Sequence, residues 1–211
     1  LVGSEMCIRD SLKKAHLENQ LQVLQSQINP HFMFNVLNHI HTLMQTDVNM
    51  ASSLLLQYSD MLRFQLYKGK GEKVELQEEI HFLQDFIEIE KIRWGKKIKV
   101  TADWKAECMS IKIPPLLLIT FVENAFKYAS RTLSEQGFVT ISFQQQGTAI
   151  SFVVENSKSI APMYDKPKDR ATGIGLENVR QRLNILYGEN YQLNIQETKD
   201  TYYSKLEIWH I

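Results

Sequence analysis

Cysteine is nearly absent from these 211 residues: only Cys7 and Cys108 occur, at no metal-ligand or redox spacing. That excludes a disulfide scaffold and a thiolate metal site, and it suits a reducing, cytoplasmic compartment. Charge of one sign is equally lacking, since 24 basic residues balance 24 acidic ones. Direct binding to nucleic acid or to an anionic membrane face is therefore not expected, and any anion site must be local. No stretch approaches the roughly eighteen consecutive apolar residues of a membrane helix, so membrane attachment would have to come from a region upstream of these residues. What is present is apolar side chains, 44% of the chain with 10% aromatic, which is too much for a disordered chain and enough for one substantial core or two modest ones.

Leu1 to Ser11 (LVGSEMCIRDS) fits neither the helix period that follows nor a signal peptide. It resembles a translated sequencing adapter and is read as a non-native leader, leaving 12–95 as a helical region and 96–211 as a second domain. From Leu12 the apolar residues Leu17, Leu21, Leu24 and Ile28 recur at steps of four, three and four, the seam of a helix that packs on partner helices. Pro30 should bend that helix just before His31. A second helix over Ala51 to Tyr67 places Leu54, Tyr58, Met61 and Leu62 on one side, giving two antiparallel helices. A third, Gln77 to Arg93, carries Ile80, Leu83 and Ile87 and ends near Gly95.

Past Gly95 the apolar period drops to two, with Ile98, Val100, Ala102 and Trp104 alternating against polar residues. Pro114 and Pro115 open a helix from about Leu116 to Ser130. Strands are expected over Phe138 to Gln145 and Ala149 to Glu155, meeting at a turn around Gly147. A polar loop, Ser157 to Thr172, a helix from Leu176 to Tyr187, and strands over Tyr191 to Glu197 and Tyr202 to His210 complete the order. The fold class is α+β: an N-terminal helical hairpin, then helices over one face of a mixed, mainly antiparallel sheet.

Three places could carry chemistry. Asn124, Lys127 and Tyr128 share one helix face, offering an amide oxygen, a cation and a ring to a single ligand. An amide oxygen suits a magnesium ion that keeps most of its waters, and an ammonium neutralises phosphate, so nucleotide with magnesium is the natural ligand; an ordinary solvated face is the alternative. Gly173-Ile174-Gly175-Leu176 follows a loop containing Lys158, Lys166, Lys168 and Arg170 and opens a helix, where free amides favour an anion, though a glycine hinge would read the same way. His31, Asn35 and Asn38 form a polar stripe beside the seam. A solvated imidazole with a pKa of about 6.5 keeps a free lone pair able to attack phosphorus, and Asn35 one turn on could fix its tautomer. His39 and His41 read as surface residues.

Together these features resemble the LytS-type sensor histidine kinases, which pair a His-containing helical hairpin with a GHKL-type ATP-binding domain. The likeness covers about residues 17 to 211 and rests on LQSQINPHFMFNVLNHI, LQEEIHFLQDFIEIEKIRWGKKIKV, IPPLLLITFVENAFKYA and GIGLENVRQRLNILYG. It implies a homodimer that phosphorylates His31 from ATP with Mg2+, and transfer to an aspartate on a response regulator receiver domain bearing a LytTR DNA-binding domain. It further implies Asn124 at the magnesium, Lys127 and Tyr128 at the phosphates and the ribose or base, and Gly173, Gly175 and Leu176 along the phosphates, with Asn178 and Arg182 supporting that wall.

Two departures stand out. Where the family has Asp-x-Gly or Asp-Asn-Gly to accept a hydrogen bond from adenine, this chain has Val154-Glu155-Asn156-Ser157. Asn156 takes the aspartate position, with Glu155 as the alternative; a neutral acceptor is weaker by about 1 kcal/mol, so low nucleotide affinity is expected. Phe32 follows His31, so no adjacent carboxylate can act as base. A degenerate, histidine-kinase-like interaction module is the competing reading. A mechanical GHKL ATPase is disfavoured, because Thr120 stands where its catalytic glutamate would be.

Overall fold

The computed structural model describes residues 30–69, 71, 73–108, 110–130, 136–158 and 171–209, with backbone only for residues 30, 31 and 171–175. The leader, the Leu17 to Ile28 seam, the chain before the expected bend at Pro30, and Lys166, Lys168 and Arg170 lie outside the described residues. The chain divides into two compact units that meet between Leu56 and Gln57.

The first unit holds α1 (Pro30–Leu43) and the start of α2 (Val48–Arg63). Pro30 is the first residue of α1, where its missing N–H would have had no partner anyway. Phe32, Val36 and Ile40, each four apart, are buried on one side of α1, as are Ala51 and Leu54 on α2. Asp47 Oδ1 accepts the Met50 N–H at 2.9 Å, the capping contact that starts α2.

In the second unit, α2 widens at its end into one π-helical turn, Phe64–Lys68, closed by Gly69 N–H donating to Phe64 O at 2.9 Å. A short β1 (Val74–Glu75) leads into α3 (Leu76–Trp94), whose start is a capping box between Glu75 and Glu78 and whose end is Gly95 at φ 51. The expected stripe of Ile80, Leu83 and Ile87 is buried. Phe82 stacks on Phe64 at 4.8 Å between centroids.

The remaining elements are β2 (Ile98–Ala106), β3 (Lys112–Ile113), α4 (Ile119–Ala129), β4 (Gly137–Gln146), β5 (Ala149–Ser157), α5 (Ala171–Tyr187), β6 (Tyr191–Glu197) and β7 (Thr201–Ile208). The main sheet runs β2-β4-β5-β7-β6, with β2 parallel to β4 and every other neighbour antiparallel, so it is mixed and mainly antiparallel. Period-two alternation buries Val139, Ile141 and Phe143 of β4 with Ile150, Phe152 and Val154 of β5. Against that face lies α4, Phe121 meeting Phe152 edge-on at 6.2 Å, and α3 in turn packs on α4 through Phe86 and Phe126 at 6.2 Å. Each of these fully buried rings contributes about 1.5–3 kcal/mol of apolar burial.

Candidate nucleotide site and acceptor histidine

α4 is amphipathic: Ile119, Phe121, Val122, Ala125, Phe126 and Ala129 are buried, which turns the opposite face outward. On that outer face Asn124 and Tyr128 are half-buried and Lys127 is exposed. The Tyr128 ring stacks on Tyr202 of β7, 5.8 Å between centroids and 26° between planes. Tyr202 stands opposite Asn156 in the β5–β7 register. Burial, reinforced by Tyr128 and Glu197, pushes the Tyr202 hydroxyl up to about 12, so it stays a neutral donor.

Asn156 extends the buried face of Ile150, Phe152 and Val154, whereas Glu155 lies on the other face of β5. Asn156 is 1% exposed; its Nδ2 donates to Ser157 O at 2.8 Å, and its buried Oδ1 has no hydrogen-bond partner among the described residues. A buried acceptor left unmatched costs about 1–3 kcal/mol, a cost that a ligand donor would remove. Ser157 Oγ accepts the Phe138 N–H at 2.9 Å, tying the ends of β4 and β5 together. At Gly137 a Cβ would sit 2.8 Å from Ala129 O, so only glycine lets β4 start this close to the end of α4.

α5 begins at Ala171, five residues before the expected Leu176. Gly173 and Gly175 thus lie inside its first turns and do not precede it. Glycine costs about 1 kcal/mol relative to alanine in a helix, which slows but does not stop propagation near an end. Gly173 remains in the first turn, among the amides a helix leaves without an internal partner. Leu176 is half-buried and Asn178 exposed. Arg182 reaches back to the turn before α4, with Nη2 donating to Pro115 O at 2.6 Å and Nη1 to Leu116 O at 3.4 Å. Lys158, at the near end of the loop, pairs with Glu197.

His31 is the second residue of α1, and Asn35, half-buried, stands one turn on; Asn38 is exposed. Among the described residues no group of three or more His, Cys, Asp or Glu could hold a metal ion, and no helix is long and apolar enough to cross a membrane.

Residues 19–98 match the family model described as Histidine kinase. Sensor protein LytS of Oceanobacillus iheyensis is 31% identical over 199 residues, 90% of this chain and 34% of that protein. Sensor histidine kinase BtsS of Escherichia coli K12 is 31% identical over 185 residues, 88% of this chain and 32% of that protein. A histidine kinase domain from Erythrobacter litoralis superposes with a TM-score of 0.44 at 20% identity, over 92% of this chain and 95% of that chain. The chain belongs to the LytS-type sensor histidine kinases. It spans about a third of the length of the curated relatives it matches.

Among its described residues this LytS-type chain also holds two buried carboxylates that the sequence pattern did not single out. Glu79 of α3 is 0% exposed; its Oε2 accepts the Leu116 N–H at 2.8 Å and its Oε1 those of Leu117 and Leu118 at 3.1 and 3.3 Å. Burial pushes its carboxyl up to about 7, while those amides and the nearby Arg182 pull the other way. Glu90, 1% exposed, accepts from Arg93 Nη2 at 2.8 Å and from Trp94 Nε1 at 2.6 Å. Burial pushes it up to about 7 as well, opposed by Arg93 and Trp94 and assisted by the neighbouring charge of Glu123. A signal was available: Leu76, Glu79, Ile80, Leu83, Phe86, Ile87 and Glu90 fall on one helical stripe, so both glutamates occupy core positions.

Proposed function

We propose that the chain is the kinase core of a two-component sensor, moving the γ-phosphoryl group of ATP to His31 and then to an aspartate of a response regulator. The observation that carries this reading is the buried Asn156 Oδ1, without a hydrogen-bond partner among the described residues, beside the stack of Tyr202 on Tyr128, whose helix also presents Asn124 and Lys127. Asn156 Nδ2 is committed to Ser157 O, which leaves the buried amide oxygen as the acceptor. Such an acceptor suits the exocyclic amine of adenine and repels the carbonyl of guanine. Tyr128 borders the base or ribose, and Lys127 meets the phosphates. The free first-turn amides of α5 around Gly173, with Gly175, Leu176, Asn178 and Arg182 following them on the same helix, wall the phosphate end. Asn124 and the nucleotide's own oxygens would hold Mg2+, which when bound neutralises charge on the phosphates.

In the reaction a ring nitrogen of neutral His31 attacks the γ-phosphorus, the bond to the β,γ-bridging oxygen breaks, and ADP leaves. The remaining imidazole N–H proton passes to water or a distant base, since Phe32 follows His31. Asn35 would hold the tautomer. The phosphoryl group then passes to the carboxylate of a receiver domain, of a regulator with a LytTR DNA-binding domain, so this chain does not itself touch DNA. Phe34 and Leu37 on α1, Met44 in the turn after it, and Val48, Leu55 and Leu56 on α2 are exposed, apolar surface that a homodimer would cover. Membrane attachment would come from the part of its relatives' length that this chain does not span, with the kinase core on the cytoplasmic side. The test is equilibrium binding of a fluorescent ATP analogue with magnesium, competed by ATP and by GTP. Competition by ATP at least tenfold better than by GTP is expected; no binding would favour the interaction module.

A further inference from the structure

The turn that leads into α4 is fixed from three sides. Leu116, Leu117 and Leu118 point their N–H groups at one carboxylate, Glu79 of α3, a concave arrangement of consecutive amides that binds anions. Arg182 of α5 holds the carbonyls of the same turn at Pro115 and Leu116. Gly69, just past the π-helical turn, lies so near that a Cβ there would meet Leu116 Cδ1 at 2.7 Å. The turn needs holding, because Leu116 sits at φ 56, a left-handed conformation that costs a leucine about 1–2 kcal/mol. Leu118 is the N-cap of α4. Asn124 and Tyr128 follow within three turns of rigid helix, so a displacement at residues 116–118 is carried along the helix axis to the face that meets the nucleotide.

We propose that Glu79 is a positioning residue for phosphoryl transfer: by holding the backbone of residues 116–118 it sets the placement of Asn124, Lys127 and Tyr128, and it ties that placement to α3, the helix that follows the histidine-bearing segment in the chain. The inference rests on the kinase reading above. A carboxylate serves where an amide would not. Both Glu79 oxygens accept, whereas glutamine would turn an NH2 group toward one of the donating amides and would lose its attraction to Arg182.

The experiment compares the parent with Glu79→Gln in the full chain. It measures hydrogen exchange at the 116–118 amides, the affinity for the fluorescent ATP analogue, and the His31 labelling rate as a function of ATP, all well below the melting temperature. Faster exchange at those amides, about tenfold weaker nucleotide binding and a matching rise in KM are expected. Glu79→Asp, which keeps the charge but shortens the reach, should fall between the two and carries the test if Glu79→Gln does not fold. Faster amide exchange with unchanged nucleotide affinity and labelling would overturn the inference and leave the kinase reading intact. A parent that binds no nucleotide would sink both.

Discussion

Asn156 concentrates the nucleotide argument in one side chain. A buried amide whose nitrogen is satisfied and whose oxygen is not is uncommon in a folded interior, because the desolvated acceptor has lost water without gaining a donor. Replacement by leucine removes that acceptor at similar volume. Asn156→Leu is expected to weaken binding of the ATP analogue about tenfold, the loss of a net 1–1.5 kcal/mol, while leaving the melting temperature unchanged or higher. Unchanged affinity in a folded Asn156→Leu protein would remove Asn156 from the base pocket. Part of this was legible in the sequence: the family resemblance placed Asn156 at the aspartate position, with Glu155 as the alternative, and the strand puts Asn156 on the buried face. Tyr202 was not legible, because its place beside Tyr128 depends on the β5–β7 register, and cross-strand register is a tertiary property.

Among the elements, α3 was legible only in part. Ile80, Leu83 and Ile87 declared its buried stripe through the 3.6-residue period, and Gly95 declared its end. The same stripe hid Glu79 and Glu90, because a charged side chain counts as surface in any periodicity argument until its partners are known. α5 misled in the opposite direction: Gly173 and Gly175 read as a break, yet the helix runs through them from Ala171.

Two predictions follow from the packing of these elements. Glu90 has a carboxyl raised from its ordinary 4.5 to about 7, so the folded state keeps a proton that the unfolded chain releases. Its contribution to stability is therefore complete below about pH 4.5 and is lost as pH rises through about 7, an effect on the order of 3 kcal/mol. The melting temperature should fall from pH 5 to pH 7.5, and Glu90→Gln should flatten part of that slope by fluorimetry; an unaltered slope would contradict it. Gly69→Ala forces a methyl against Gln65 O at 2.6 Å and Leu116 Cδ1 at 2.7 Å. A loss of about 1–3 kcal/mol in denaturant unfolding is expected, and a loss below a few tenths would mean that the turn gives way easily.

For the whole molecule, the α+β order was legible almost throughout, since period-two runs after Gly95 and amphipathic helices around them leave few alternatives. The boundary between compact units, inside α2, was not legible, because it depends on which side chains meet across space. The proposed function divides in the same way. His31, the proposed acceptor, lies in the first unit, and the residues proposed for the nucleotide lie in the second. The central claim is that the second phosphorylates the first. It is tested most directly by incubating the purified chain with magnesium and γ-labelled ATP beside a His31→Ala control and following acid-labile, alkali-stable label. The account predicts label in the parent and none in His31→Ala. Equal label in both, or none in a parent that binds ATP, would contradict it.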